Sequence, residues 1–320
     1  MSGPGPERGT AFPTDPVRPF EAEPSDPDQS LRSREPMTFT VTGAPATPVT
    51  HSLGRYSGSM SRRHREPIYG TAVALGRGLF GFWRLRHVET GIENLPASGG
   101  AVLAMTHFGY LDFALVEWVT WLHSRRRIRF MAKKSAFDTP VIGWLLRGMR
   151  HIPVDMKAGA AAYADAVTAL REGELIGVFP EAGVSASFTV RELKTGAVRL
   201  AAEAGVPIIP IAVWGGQRLL TKNHTLRFRE RFGVPIHFAI GASITVGPAD
   251  DVVGSTESLR DALQQSIDRL QAGYPVDGTD AWWQPRSRGG AAPTPVQAAA
   301  ADEERRRRRE RAARERGDIR

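Results

Sequence analysis

The amino-acid sequence predicts an α/β fold, with a mostly parallel or mixed sheet flanked by helices and with disordered N- and C-terminal tails. Between residues 85 and 270, short apolar runs typical of buried strands alternate with amphipathic stretches of helical length. Alternation at this spacing is typical of a parallel sheet with crossover helices. The two ends of the chain are rich in Pro, Gly, Ser, Ala or Arg and show little periodicity. The expected organisation is a disordered segment at 1–66, a folded domain that opens with an amphipathic helix at 67–275, and a flexible, basic Pro/Gly/Arg-rich tail at 276–320. Within this tail, residues 302–320 are either a charged helix or a solvated run.

Apolar periodicity places the individual elements within this domain. Strands are expected at 85–91, 101–105, 128–132, 151–155, 175–181, 206–214 and 236–240. Helices are expected at 67–86, 111–122, 141–147, 158–171 and 193–203, with a further helix beginning near Ser255. Ser255 is a favourable N-cap residue for that last helix.

The helix expected at 67–86 combines aromatic and basic side chains. Pro67 is suited to a first helical turn. An apolar stripe follows at helical spacing, formed by Tyr69, Val73, Gly76, Phe80 and Trp83. Arg77 and Arg84 lie along one edge of this stripe. Two interpretations remain open: the stripe packs on the domain, which is slightly favoured, or it lies in a membrane interface.

Composition limits the function. The 320 residues carry a net charge of +8, which favours an anionic partner such as nucleic acid, anionic lipid or a phosphorylated substrate. The absence of cysteine excludes disulfides, thiolate zinc sites and cysteine nucleophiles. The polar, proline-rich first residues do not resemble a signal peptide. The long apolar stretch 101–123 carries His107, Asp112 and Glu117, which argues against a membrane span.

His107 and Asp112 are the candidate catalytic pair. His107 follows the buried run 101–105, and Asp112 falls in the first turn of the next helix. Ligands of open α/β sheets bind beyond the carboxyl ends of the strands, where His107 is expected. A carboxylate that accepts the Nδ1–H of an imidazole leaves Nε2 free as a general base. The alternative is a histidine and an aspartate that only cap a turn and a helix.

Four segments in order along the chain resemble the lysophosphatidic-acid acyltransferase family, the glycerolipid acyltransferases with an NHxxxxD box. The resemblance covers roughly residues 80–240. The first block of the family is similar to 106–112, the second to 148–155, the third (Phe-Pro-Glu-Gly-Thr-Arg-Ser) to 179–185 and the fourth (Val-Pro-Ile-Ile-Pro) to 206–210. Residues 194–196 stand where the family has Lys-x-Gly.

The resemblance implies an O-acyltransferase that moves a fatty acyl group from an acyl thioester to a hydroxyl of a lipid acceptor. The donor is acyl-CoA or acyl carrier protein, and no metal or other cofactor is expected. His107 is the expected base and Asp112 orients it. Glu181 is a candidate for binding acceptor hydroxyls, unless it is only a strand-end cap. Gly183 is expected near a helix start that binds the oxyanion.

Two departures from the family pattern concern the arginines that usually bind the acceptor phosphate. The second-block arginine falls on Met156 and the third-block arginine on Val184. If the acceptor carries a phosphate, other cations must bind it, because a buried unpaired phosphate is very costly. The candidates are Lys133, Lys134, Arg150, Arg191 and Lys194, the last within the 194–196 segment that ends in Gly196. Alternatively, the acceptor is an unphosphorylated glycolipid or another hydroxylated lipid.

Further alternatives concern the reaction, the partners and three aromatic residues. An acyl-thioester hydrolase with the same dyad is a close relative of the transferase. The arginine runs suggest a basic nucleic-acid-binding protein, but no recognised motif accompanies them, so no nucleic acid is expected as a partner. An anionic membrane surface is expected instead, with the protein cytoplasmic and attached peripherally to the inner face of the cell membrane. His151 is expected to be a packed or surface histidine, and Trp282 and Trp283 either anchor at an interface or belong to the flexible tail.

Overall fold

The structure is a computed structural model that describes residues 66–155, 158–225 and 227–315. Except for Glu66, the segment expected to be disordered at 1–66 lies outside the described residues. Met156 also lies outside them.

Within the described residues, seven strands form one mixed sheet in the order β1-β7-β6-β2-β5-β3-β4. The strands are β1 (Arg86–Thr90), β2 (Ala101–Met105), β3 (Ile128–Lys133), β4 (Ile152–Val154), β5 (Leu175–Val178), β6 (Ile208–Trp214) and β7 (Pro235–Ile240). Strands β6, β2, β5, β3 and β4 are parallel. Strand β7 pairs antiparallel with β6 and parallel with β1. The predicted α/β fold with a mostly parallel or mixed sheet is confirmed.

Helices flank this sheet in the described ranges. They are α1 (Pro67–Phe82), α2 (Asp112–Ser124), α3 (Lys134–Phe137), α4 (Pro140–Gly148), α5 (Gly159–Arg171), α6 (Gly196–Ala204), α7 (Val252–Ala272) and α8 (Pro295–Glu315). Helix α7 begins four residues before the predicted start. The carboxylate of Asp251, rather than Ser255, caps it by accepting the N–H groups of Val253 and Gly254.

The central strand β2 contributes side chains to a core on each face of the sheet. Val102 and Ala104 pack with residues of α5, α6 and α7, whereas Leu103 and Met105 pack with residues of α1 and α2. All five residues of β2 are fully buried. Such a continuous apolar run is typical of a parallel strand that is covered on both faces.

The apolar stripe of α1 packs inside the protein. Tyr69, Val73 and Phe80, with Trp83 just after the helix, are each at most 8% exposed. The packing interpretation of this stripe is confirmed, and the interpretation that this face lies in a membrane is wrong. Over the described residues, no helix combines the length and the apolar character needed to cross a bilayer.

The segment 276–315 departs from the expected flexible tail. Trp283 is 6% exposed and its ring contacts those of Trp214 and Tyr274. The chain then forms α8, which spans 21 residues. The Pro, Gly and Arg content of this segment suggests a flexible tail, but Trp282 and Trp283 pack against the core. Their large apolar rings bury enough surface to hold the segment on the domain.

A buried carboxyl group joins α2 to the sheet. The Oε2 atom of Glu117 accepts the N–H of Ile128 at 3.1 Å, and the same N–H lies 2.9 Å from the hydroxyl of Tyr69. Burial raises the pKa of Glu117 to about 8. The helix that begins with Asp112 is therefore attached to β3 through a side chain that favours its protonated form.

Replacing Glu117 by Gln is expected to flatten the decline of stability with pH. Because folding raises the pKa of Glu117 from 4.5 to about 8, the folded chain binds more protons than the unfolded chain between these values. The free energy of unfolding contributed by this group is therefore fully present at low pH and falls as the pH rises through this range. Urea titrations from about pH 6 to about pH 9 measure the effect, with the exposed Glu93→Gln as control. The same slope in wild type and Glu117→Gln would contradict it.

Candidate active site

His107 lies in the crevice beyond the carboxyl end of β2, at the centre of the sheet. The strand ends at Met105, and α2 begins at Asp112. The side chain of His107 is 17% exposed, so that it is open to a substrate, whereas that of Asp112 is 1% exposed. The sequence-predicted pair is thus brought together at the edge of the sheet where ligands bind.

The carboxylate of Asp112 faces both the loop backbone and the imidazole. Its Oδ2 atom accepts the N–H groups of Phe108 at 2.8 Å and Gly109 at 2.7 Å. The same oxygen lies 3.6 Å from Nδ1 of His107, slightly beyond hydrogen-bond distance. Burial raises the pKa of Asp112, and His107 together with the two N–H donors opposes that rise. Catalytic contacts of this length often shorten when substrate binds.

The third block, 179–185, holds the backbone of His107 through Glu181. Its Oε1 atom accepts the N–H of His107 at 2.9 Å, and its Oε2 atom accepts the N–H of Arg191 at 3.0 Å. From the same loop, the N–H of Ser185 donates to the carbonyl of His107 at 2.8 Å. Burial raises the pKa of Glu181 to about 7, against the effect of its two N–H donors. Because both oxygens accept backbone N–H groups, Glu181 braces the histidine, which favours the strand-end cap over a contact with acceptor hydroxyls.

An aromatic stack forms one side of the site. The rings of His107 and Phe179 are stacked with centroids 4.0 Å apart, and Phe179 stacks in turn on Phe130 at 6.2 Å. The imidazole therefore has an apolar ring on one face and the Asp112 carboxylate behind Nδ1. Apolar walls of this kind exclude water from the reacting groups.

The loop around Gly183 does not begin a helix, which corrects the expected position of the oxyanion site. The next helix, α6, begins at Gly196. Ala182 adopts a left-handed conformation, with φ of 55°, where the family pattern has glycine. Among the described residues, the N–H of Gly183 has no hydrogen-bond acceptor. The N–H of Gly183 is thus available in the third block, without a helix dipole behind it.

Lys133 and Lys194 are two predicted cations that reach this edge of the sheet. Lys133 ends β3, two strands from β2 in the sheet order, and its side chain is exposed. Lys194 is also exposed and lines a cleft of about 590 Å³ with Glu181 and Arg191. Its N–H donates to the carbonyl of Pro180 at 2.9 Å, so that the third block holds this lysine near the brace.

Arg150 lies in an ion-pair cluster outside the cleft that Lys194 lines, and its role in substrate binding stays a prediction. Its Nη1 atom is 3.5 Å from Oε1 of Glu66, a carboxylate that also binds Arg129. Arg150 and Arg129 line a separate cleft of about 190 Å³ with Glu174. The cluster joins the start of α1 to β3.

His151 and Val184 are both buried in the domain. The Nδ1 atom of His151 accepts the N–H of Phe130 at 3.1 Å, and burial lowers the pKa of His151 to about 4. The packing interpretation of this histidine is confirmed. Val184, at the position of the third-block arginine, is 5% exposed.

Sequence reasoning missed a second brace of the His107 loop. The hydroxyl of Thr221 donates to the carbonyl of Phe108, and the carbonyl of Leu220 accepts the N–H of Tyr110 at 2.8 Å. These contacts join segments more than 100 residues apart and use mostly backbone atoms. No local residue pattern signals them.

Comparisons with known proteins indicate an acyltransferase family. The family model described as Acyltransferase matches residues 86–214, which include His107 and the third block. The chain is 31% identical over 182 residues to a 1-acyl-sn-glycerol-3-phosphate acyltransferase of Bacillus subtilis, covering 56% of this chain and 86% of that protein. A protein of the same name from Borreliella burgdorferi is 26% identical over 186 residues, covering 57% of this chain and 69% of its own.

A solved structure has the same fold. It is the crystal structure of the 1-acyl-sn-glycerophosphate acyltransferase of Thermotoga maritima, which superposes with a TM-score of 0.54 at 19% identity. The match covers 65% of this chain and 81% of that one.

Replacing Glu181 by Gln is expected to lower the free energy of unfolding by about 1–3 kcal/mol at neutral pH, because the amide has one acceptor oxygen and leaves one of the two backbone N–H groups without an acceptor. Urea unfolding measures this loss. Glu192→Gln, at an exposed position of the same loop, is the control and should change stability by less than about 0.5 kcal/mol. Equal stability of the two variants would show that Glu181 is not a brace.

Proposed function

This chain belongs to the 1-acyl-sn-glycerol-3-phosphate acyltransferase family, and on that premise we propose the reaction of this O-acyltransferase. It transfers a fatty acyl group from acyl-CoA or acyl carrier protein to a hydroxyl of a lysophospholipid, such as 1-acyl-glycerol-3-phosphate, in phospholipid biosynthesis. The observation that carries the proposal is the open imidazole of His107 at the carboxyl end of β2, with the Asp112 carboxylate 3.6 Å behind its Nδ1 atom. Family membership favours this enzyme over the alternative of a nucleic-acid-binding protein.

Each step of the proposed reaction uses a group of this site. Nε2 of His107 takes the proton of the acceptor hydroxyl as the oxygen attacks the thioester carbonyl, and Asp112 stabilises the imidazolium that forms. The N–H of Gly183 binds the oxyanion of the tetrahedral intermediate. The intermediate expels the thiolate, which takes the proton from Nε2. A thiol of pKa about 8.5 is a good leaving group, so no separate acid is needed.

Replacing His107 by Ala is expected to abolish acyl transfer while the protein stays folded, because the side chain is partly exposed and its backbone supplies the bracing contacts. Asp112→Asn should lower kcat by several powers of ten, since an amide does not stabilise the imidazolium; the loss is about 10⁴ in a protease triad. Thiol release from acyl-CoA in the presence of lysophosphatidate measures both effects, with circular dichroism as the folding control. Near-normal transfer by a folded His107→Ala protein would contradict the mechanism.

The same assay distinguishes transfer from hydrolysis. Thiol release without acceptor, at the rate seen with acceptor, would favour the acyl-thioester hydrolase alternative. Release that depends on the acceptor, with formation of a diacylated product, supports the transferase.

Lys133 and Lys194 are the proposed contacts of the acceptor phosphate, since Val184 replaces one family arginine and Met156 the other. Replacing either lysine by Ala should raise KM for lysophosphatidate by about tenfold, the effect of losing one charged hydrogen bond. Lys134→Ala is the control, because Lys134 pairs with Asp155 at 3.6 Å on the exposed surface. If lysophosphatidate is the best acceptor and neither lysine affects its KM, this assignment is wrong. If an uncharged glycolipid is the better acceptor, the chemistry stands and the phosphate assignment does not.

We also propose that the protein attaches peripherally to the inner face of the cell membrane, through a surface different from the buried stripe of α1. Large apolar side chains of α1 and of the loop before β7 are exposed and form an apolar ridge: Leu75, Leu79, Phe82, Phe228 and Phe232. The three phenylalanine rings contact one another with centroids 5.3–6.1 Å apart. A contiguous exposed patch of this kind is suited to a lipid surface.

The double substitution Leu79→Glu and Phe82→Glu is expected to reduce flotation with anionic vesicles, because it places two charges in the apolar ridge. Val253→Glu with Val296→Glu is the control, since both valines are exposed and lie outside the ridge. Equal flotation of both double variants and wild type would contradict attachment through the ridge.

A further inference from the structure

Helix α8, within the segment expected to be a flexible tail, lies beside the third block. One face of the helix lines a cleft of about 310 Å³ with residues at i, i+3, i+4 and i+7: Asp302, Arg305, Arg306 and Arg309. The opposite wall consists of Ala182, Gly183, Arg191 and Lys222, and Glu310 completes the lining. Five cations thus surround a small volume that contains two carboxylates.

A carboxylate of the protein itself occupies part of this cleft. Oδ2 of Asp302 is 3.6 Å from Nη1 of Arg191, and Oδ1 accepts a hydrogen bond from Nζ of Lys222. Asp302 thereby joins α8 to the loop after the third block and to the segment that follows β6. The contact shows that an oxyanion fits between these two cations.

Two arginines of the cleft lack an anionic partner. Within the described part of the chain, Arg305 and Arg309 make no ion pair or hydrogen bond. The neighbouring arginines of α8 are paired: Arg306 and Arg307 with Glu303, and Arg308 with Glu304. Unpaired guanidinium groups placed together repel one another, and an anion between them removes this cost.

Two residues that line the cleft, Ala182 and Lys222, directly follow residues that bind the loop of His107. Ala182 directly follows Glu181, which accepts the N–H of His107. Lys222 directly follows Thr221, which donates to the carbonyl of Phe108. An anion bound in the cleft would therefore lie beside the catalytic loop.

We propose that this cleft is a phosphate-binding site of the enzyme, with Arg305 and Arg309 as its principal ligands and the Asp302 carboxylate marking the position of a phosphate oxygen. Guanidinium groups bind phosphate through paired N–H donors, so they are suited to a phosphomonoester or a diphosphate. The site rests on the proposed function, because both substrates of that reaction offer this group: the acceptor in its head group and coenzyme A in its nucleotide.

The test is titration calorimetry of the full-length protein with sn-glycerol 3-phosphate, with coenzyme A and with uncharged glycerol. The double variant Arg305→Glu and Arg309→Glu should weaken binding of a phosphate-bearing probe by at least about tenfold, as expected for lost charged hydrogen bonds. Arg307→Glu with Arg308→Glu has the same charge change on the part of α8 outside the cleft and should leave that binding nearly unchanged. The probe that is affected identifies the substrate whose phosphate binds here.

Asp302→Asn is expected to have the opposite effect on the affinity for the probe. Removing the competing carboxylate should tighten binding of the affected probe, whereas weaker binding would show that Asp302 only positions Arg191 and Lys222. If both double variants lose the same affinity for the probe, the loss follows from net charge alone, and the proposed site is wrong. The proposal is also wrong if Arg305→Glu with Arg309→Glu reduces flotation with phosphatidylglycerol vesicles but leaves probe binding unchanged. In that case α8 contacts a membrane surface.

Binding without turnover separates this proposal from the proposed function. A His107→Ala protein should bind the affected probe as wild type does. Failure of the catalytic prediction with intact phosphate binding would refute the mechanism alone, and the reverse pattern would refute the cleft alone.

Discussion

The third block binds both the backbone N–H and the backbone carbonyl of His107, and the site depends on these two hydrogen bonds. Glu181 accepts this N–H and the N–H of Ser185 binds this carbonyl. Asp112 then accepts the next two N–H groups of the loop. The turn between β2 and α2 is therefore fixed by charged acceptors that belong to two separate blocks of the sequence. A histidine whose backbone cannot move retains only side-chain rotation, and Phe179 limits that rotation by stacking on the ring.

Two buried carboxylates make this arrangement costly. Burial raises the pKa of Asp112, and it raises that of Glu181 to about 7. Each group recovers part of the cost by accepting two backbone N–H groups, which favour the ionised form. The first and third blocks are consequently coupled, since loss of either carboxylate leaves buried donors of the same loop without partners. This coupling explains why the two blocks contribute to one function although they lie more than 60 residues apart in the sequence.

The features that sequence could predict are those that depend on local pattern. Strand ends and helix starts follow from apolar periodicity, so His107 and Asp112 were placed correctly relative to β2 and α2. Contacts between distant segments were not predictable: Arg150 pairs with Glu66 because α1 packs against β3, and Glu181 faces backbone rather than the crevice. The sequence leaves helix α8 open, because an arginine-rich composition is typical of a charged helix and of a solvated run alike. Its position on the domain depends on Trp283, which is buried in the core.

The proposed mechanism requires that the Asp112 carboxylate accepts a hydrogen bond from Nδ1–H of His107 and so leaves Nε2 free as the base. Imidazole ¹⁵N NMR of the histidine-labelled enzyme tests it most directly. The chain has eight histidines, and the spectrum of His107→Gln assigns the signals of interest by difference. Neutral His107 is expected to carry its proton on Nδ1, with Nε2 unprotonated. Asp112→Asn is expected to remove the preference for this tautomer. A neutral His107 protonated on Nε2 in the wild-type enzyme would contradict this mechanism.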